Sequence, residues 1–156
     1  MRRRLRVLGT VILLVGVLAA QKPAAEKGAS SEADEEIANV LHAQVDAWNR
    51  GDLKGFMDGY WNSPDLVFAA GKQGTRGWEP VYNRYRVKYQ TGKAEMGKLG
   101  MAYSKPAHML ARDLAYVDGD YQLTNSDGGT SSGVFTLIFR KFPEGWRIIH
   151  DRTCAE

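Results

Sequence analysis

His150, Asp151 and Arg152 stand in a row near the end of the chain, within GWRIIHDRTCAE. An imidazole, a carboxyl and a guanidinium side by side could serve proton transfer, a metal or an anion. The residues before them narrow the choice. Trp146, Ile148 and Ile149 read as a buried strand, and neighbours on a strand point to opposite faces. His150 and Asp151 then cannot form a hydrogen-bonded dyad in one pocket. Alternation places His150 and Arg152 on the face of Trp146 and Ile148, with Asp151 behind them. An imidazole and a guanidinium on one face suit a carboxylate or an enolate. The expectation is an anion-binding pair, with His150 as the candidate catalytic residue. The plainer alternative is a His bonded to a neighbouring strand or placed at a subunit contact.

Two further groups point to a cavity. Ile37, Val40, Leu41, Gln44 and Trp48 share one face of a helix, and Gln44 interrupts an otherwise apolar stripe. A buried amide without partners costs roughly 1–3 kcal/mol, so Gln44 must meet a core partner, a water or a ligand. Trp78, Val81, Tyr82, Tyr85 and Tyr89 form a second helical stripe. Such a stripe can be plain core. Its phenols need partners when buried, and an aromatic wall with a few polar tips suits a flat or hydrophobic small molecule. Gln44, Trp48, Tyr60, Trp78, Tyr82, Tyr85, His150 and Arg152 are the expected ligand-binding residues. Metal chemistry is poorly supported. The histidines are His42, His108 and His150, with no HxH, HExxH or CxxC. No metal and no cofactor are expected. The glycine-rich NSDGGTSSG joins two strands rather than opening a helix, so it reads as a hairpin turn and not a phosphate cradle.

The elements that must position these groups follow from periodicity. Ser31 and Asp34 resemble a helix N-cap pair, and a helix should run from about there to Arg50. Gly51 is a suitable C′ residue, and Asp52 can cap a short second helix through Tyr60. NSPD turns the chain into a strand at Leu66–Ala69, and GKQG turns it back. Gly77 leads into the third helix, with Pro80 tolerated in its first turn. Strands are expected near 97–109, 113–124, 133–141 and 145–153. Helices followed by an antiparallel meander make an α+β layout. The strand 133–141 is apolar on both faces, Phe135, Leu137 and Phe139 on one, Val134, Thr136 and Ile138 on the other. Helices can cover one face, and a partner subunit is the natural cover for the other. A homodimer is therefore expected.

The start of the chain is an address. Arg2, Arg3, Arg4 and Arg6 precede a 14-residue apolar run, Val7–Ala20, with small-residue cleavage sites at its end. That is a signal peptide over 1–20, implying a secreted or periplasmic protein without stable membrane association after cleavage. An uncleaved anchor is the minority alternative, since a span needs about 20 residues. Residues 21–33 read as a flexible linker, and 34–156 as one domain. The chain has 21 Lys and Arg and 18 Asp and Glu. Setting aside the four leader arginines leaves 17 basic side chains against 18 acidic ones. The basic balance thus belongs to the leader, and nucleic acid is not an expected partner. Cys154 is the sole cysteine, so no intrachain disulfide can form.

AWNRGDLKGFMDGYW, SPDLVF, TRGWEPVYNRY, AYVDGDYQL, SGVFTLIFRK and GWRIIHDRT occur in this order. The ordered set, over roughly 34–154, resembles the nuclear transport factor 2-like superfamily. Within it the likeness is to the SnoaL-like branch, related to the association domain of calcium/calmodulin-dependent kinase II. The resemblance implies a curved, mostly antiparallel sheet wrapped around three N-terminal helices, a cone-shaped, cystatin-like roll with a pocket, commonly dimeric. Isomerases, cyclases, dehydratases and non-enzymatic binders share that fold, so fold alone does not give function. The Tyr, general-base Asp and protonated Asp of its steroid isomerases match Gln44, Ala70 and Leu137 here, and none of the three is retained. The expected function is small-molecule binding. The rivals are a proton-transfer enzyme of isomerase, lyase or cyclase type centred on His150, Tyr85 and Gln44, and a non-catalytic association module.

Overall fold

A computed structural model describes residues 24–89 and 96–156. The expected signal sequence and residues 21–23 of the linker lie outside them. Helix α1 spans Ala24–Asn49. It begins ahead of the Ser31 start read from the sequence, so residues 24–33 of the expected linker are helical. Ala24, Ala25, Glu26 and Lys27 are strong helix formers, and their propensity outweighs the cap signal at Ser31. The other end stops as expected. Gly51 adopts φ 78°, a left-handed conformation that suits glycine, and its N–H reaches the Trp48 carbonyl at 2.9 Å. Asp52 then caps α2 (Leu53–Met57), accepting from the Gly55 N–H at 2.8 Å.

Strand β1 (Val67–Ala70) pairs antiparallel with β2 (Gln73–Arg76), and α3 (Trp78–Tyr89) follows. The segment read as a bare GKQG turn thus carries a short edge strand. The expected strand 97–109 is two strands, β3 (Lys98–Tyr103) and β4 (His108–Ala111). They pair in succession along β5 (Leu114–Thr124), and Pro106, which has no N–H to give a ladder, lies in the gap. Strands β6 (Thr130–Phe142) and β7 (Gly145–Ala155) complete the sheet, in the order β2-β1-β7-β6-β5-β3 with β4 also on β5. All pairs are antiparallel except β1 with β7. The result is the expected α+β architecture, a curved, unclosed sheet with the helices on its inner face.

Helix α1 is tied to the sheet at two points. At its middle, Glu36 accepts from Lys141 Nζ at 2.6 Å and Trp146 Nε1 at 2.9 Å. At its end, Asn49 pairs with both backbone groups of Leu99, at 2.8 and 3.0 Å. Between these ties Ile37, Leu41, Ala47 and Trp48 are buried, each large side chain contributing on the order of 1.5–3 kcal/mol of burial. Strand β6 answers the question of its two faces. Phe135, Leu137 and Phe139 are buried against the helices, while Val134, 47% exposed, looks outward.

The element that decides the site is β7. Ile148 pairs with Phe139, but His150 pairs with Ile138, so Ile149 is an extra residue opposite one position of β6. This β-bulge resets the alternation. Trp146 and Ile148 are buried before it, and after it Asp151 is buried while Arg152 is exposed. The free edge of β7 changes partner at the same point. Gly59 and Trp61 bracket Ile148 with backbone bonds of 2.9 Å, forming a bridge at Tyr60. From His150 onward the edge belongs to β1, with Phe68 beside Asp151.

Candidate functional site

The side chains of α1, α2, α3 and the inner face of the sheet leave a cavity of about 420 Å³, the size of a small-molecule site. Its walls are aromatic. Tyr85 lies edge-on to Trp48, Phe56 and Phe68, at centroid distances of 6.1, 5.4 and 5.5 Å, and stacks on Tyr89 at 5.9 Å. Leu99, Met101, Leu123, Phe135 and Leu137 line the sheet side.

At the floor lies a carboxyl group. Asp151 is 3% exposed. Tyr60 donates its hydroxyl to Oδ2 at 2.7 Å, and Thr153 donates to Oδ1 at 2.7 Å. Both partners are neutral, and no cation faces the carboxyl among the described residues. Desolvation therefore outweighs the two hydrogen bonds and pushes the carboxyl up to about 6. Burial and the nearby carboxylate hold the Tyr60 and Tyr85 phenols well above their usual range. Tyr60 spends its one proton on Asp151, and Tyr85 borders the same cavity from α3.

Gln44 borders the same cavity, 2% exposed, donating from Nε2 to the Phe56 carbonyl at 3.0 Å. It both lines the cavity and satisfies the core, so the two readings of the sequence are one. Gly59 makes room for it, since a Cβ there would come within 2.5 Å of Gln44 Cδ. Ala70 and Leu137, the other positions matched to the isomerase residues, also line the cavity.

The sequence-derived site is thus brought together in part. Gln44, Trp48, Tyr60 and Tyr85 border the cavity. Trp78 and Tyr82 do not. Trp78 is core, its Nε1 donating to the Met57 carbonyl at 3.1 Å, and Tyr82 stacks on it at 5.2 Å. His150 and Arg152 are on the outer face of the sheet, beside Ile138 and Thr136. The expectation of an inward His150–Arg152 pair is overturned by the bulge at Ile149, and Asp151 takes the inward place. His42 is exposed, 3.2 Å from the Tyr103 hydroxyl, and His108 stacks on Tyr116 at 4.6 Å. No cluster of metal-ligating side chains occurs among the described residues. Sequence reasoning also missed Arg84, Lys88 and Tyr121, which border the cavity. Arg84 and Lys88 adjoin Tyr85 and Tyr89 on α3, a position that a purely apolar stripe hides.

No protein-family model matches the chain, and no curated protein does. Solved structures do match. An NTF2-like protein of unknown function from Shewanella oneidensis is 32% identical, with a TM-score of 0.72, covering 77% of this chain and 97% of the other. A ketosteroid isomerase-like protein from Erwinia carotovora atroseptica is 22% identical, with a TM-score of 0.61 over 80% of this chain and 96% of the other. A domain of unknown function with a cystatin-like fold from Nostoc punctiforme is 18% identical, with a TM-score of 0.63 over 86% and 80%. The last two show the fold alone. With nearly a third of residues shared across almost the full length of the first, and with the cone-like helix and sheet arrangement in place, the chain belongs to the NTF2-like family.

Proposed function

We propose that this protein binds a small, largely apolar molecule, with its polar group turned toward Asp151. The observation that carries this reading is the cavity of about 420 Å³ whose aromatic walls converge on one buried carboxyl. A cone filled by side chains would favour pure association, and this one holds an open space instead. The uncharged fluorophore phenylnaphthylamine tests the reading, because its emission rises in apolar surroundings. Wild type should bind it at one saturable site. Leu137→Trp, which places an indole in the cavity from β6, should abolish binding while the far-ultraviolet spectrum stays unchanged. Equal binding by both proteins would place the ligand elsewhere.

A second reading, proton-transfer catalysis, is favoured by Asp151 itself. A carboxyl held near 6 is mostly ionised at neutral pH yet readily protonated, which suits general acid–base work. Asp151 takes the role that the sequence alone assigned to His150, and Tyr60 and Thr153, which donate to it, would steady the charge. Any small molecule that co-purifies from the native host can be incubated in heavy water with each protein. Deuterium entering a carbon position with wild type and not with Asp151→Asn supports catalysis; no incorporation with either leaves binding as the function.

A further inference from the structure

The cavity has a second polar end, opposite in sign to the first. Exposed Lys88, Gly71 and Ala155 border it and mark the mouth, with half-buried Arg84 just inside. Basic residues in the last turns of a helix are ordinary, since they suit its dipole. That explains Arg86 equally well, yet Arg86 faces solvent and does not border the cavity. Arg84 and Lys88, one turn apart, do.

Both cations are held against rings of the cavity wall. The Arg84 guanidinium lies 5.5 Å from the Phe68 ring centre, and Lys88 Nζ lies 4.9 Å from that of Tyr89. Such contacts fix a charge in place without neutralising it. Among the described residues neither joins an ion pair, and Arg84 makes one long bond, 3.4 Å to Gln73 Oε1. Asp151 does not serve them: its oxygens meet Tyr60 and Thr153, and it forms no ion pair with either cation. Glu156, next to Ala155, is the acidic residue near this end, but among the described residues it forms no ion pair with either cation, so two unpaired positive groups stand over an apolar cavity.

We infer that the ligand is an organic anion, an apolar ring-bearing body that fills the cavity with a carboxylate or sulfate held at the mouth by Arg84 and Lys88. This rests on the cavity reading above and adds the charge and orientation of what enters. A neutral lipophile would leave both cations unused, and an organic cation would be repelled at the entrance. The anionic end stays at the mouth, away from Asp151, and a second, uncharged polar group at the far end of the ring system is the one turned toward the carboxyl.

Two probes that share a ring skeleton and differ in charge separate the claims: anilinonaphthalenesulfonate and its uncharged parent phenylnaphthylamine. The parent should displace the sulfonate, showing one site. The sulfonate should bind at least about tenfold more tightly. Arg84→Gln with Lys88→Gln should remove that advantage, weakening the sulfonate about tenfold and changing the parent less than about twofold. If the parent binds but the sulfonate binds no better, or if the double variant affects both alike, the inference fails and the cavity reading stands. If neither probe binds saturably, the cavity reading fails and the inference with it.

Discussion

Replacing Asp151 by Asn keeps the shape of the cavity floor and removes its titration. In the folded protein burial holds this carboxyl at about 6 against an ordinary 3.8. A raised folded value means that the native state binds the proton more tightly than the unfolded chain does. The resulting stabilisation is complete below the ordinary value and is lost as pH rises through about 6. At about 1.36 kcal/mol for each pH unit, the gap amounts to roughly 3 kcal/mol lost by wild type between about pH 3.5 and about pH 7. Asn cannot titrate. The stability of Asp151→Asn relative to wild type should therefore rise by that amount over the same window. The Asn amide also needs a new acceptor, but that cost is constant with pH, and every other titrating group is common to both proteins. Urea unfolding followed by circular dichroism at steps across this range measures the difference directly. A difference that stays flat with pH would refute the reasoning, because it would mean that the Tyr60 and Thr153 hydroxyls, or water, fully offset the buried charge.

Tyr60→Phe removes a donor from that carboxylate, and should cost about 1–3 kcal/mol above pH 6 and distinctly less near pH 4, where Asp151 is protonated; the same unfolding series reads it. Gly59→Ala should destabilise by about 1–3 kcal/mol through overlap with Gln44, and adding Gln44→Ala should recover part of the loss in a double-mutant cycle. We further propose a homodimer through the outer face of the sheet, where Val134 and Ile138 lie; Val134→Lys with Ile138→Lys should give a soluble monomer by light scattering, and a wild type already monomeric at micromolar concentration would rule it out. Export is proposed from Arg2–Ala20: intact mass of the host-purified protein should place its start near Ala20 or Gln21, and a species retaining Met1 would contradict it.

Much of this was legible from residue patterns. The α1 stripe through Gln44 and Trp48, the Gly51–Asp52 turn, the α3 stripe and the strands from Leu114 onward all follow from periodicity and turn chemistry, because each is fixed by local contacts. Two kinds of feature were not legible. Helix α1 starts at Ala24 because helix propensity spread over several residues outweighs one cap signal. The inward face of β7 depends on an extra residue at Ile149, which carries no Gly or other local mark. That bulge is set by long-range pairing, with Gly59–Trp61 gripping Ile148 and β1 taking over at His150. One inserted residue flips every side chain after it, so strict alternation sent His150 and Arg152 inward and Asp151 out. The stripe rule likewise gathered Trp78 and Tyr82 with Tyr85 and Tyr89, although only the second half of α3 reaches the cavity.

The central claim is that Asp151 is a desolvated acid on the floor of a ligand cavity. Carbon-detected nuclear magnetic resonance of the Asp151 side-chain carboxyl, titrated with and without saturating phenylnaphthylamine, tests both halves at once. In the free protein the resonance should titrate with a midpoint near 6. With the probe bound the midpoint should move higher, because an apolar occupant displaces what water still solvates the ionised form. A midpoint in the ordinary carboxylate range, or one that does not respond to the probe, would contradict the placement of Asp151 at the site.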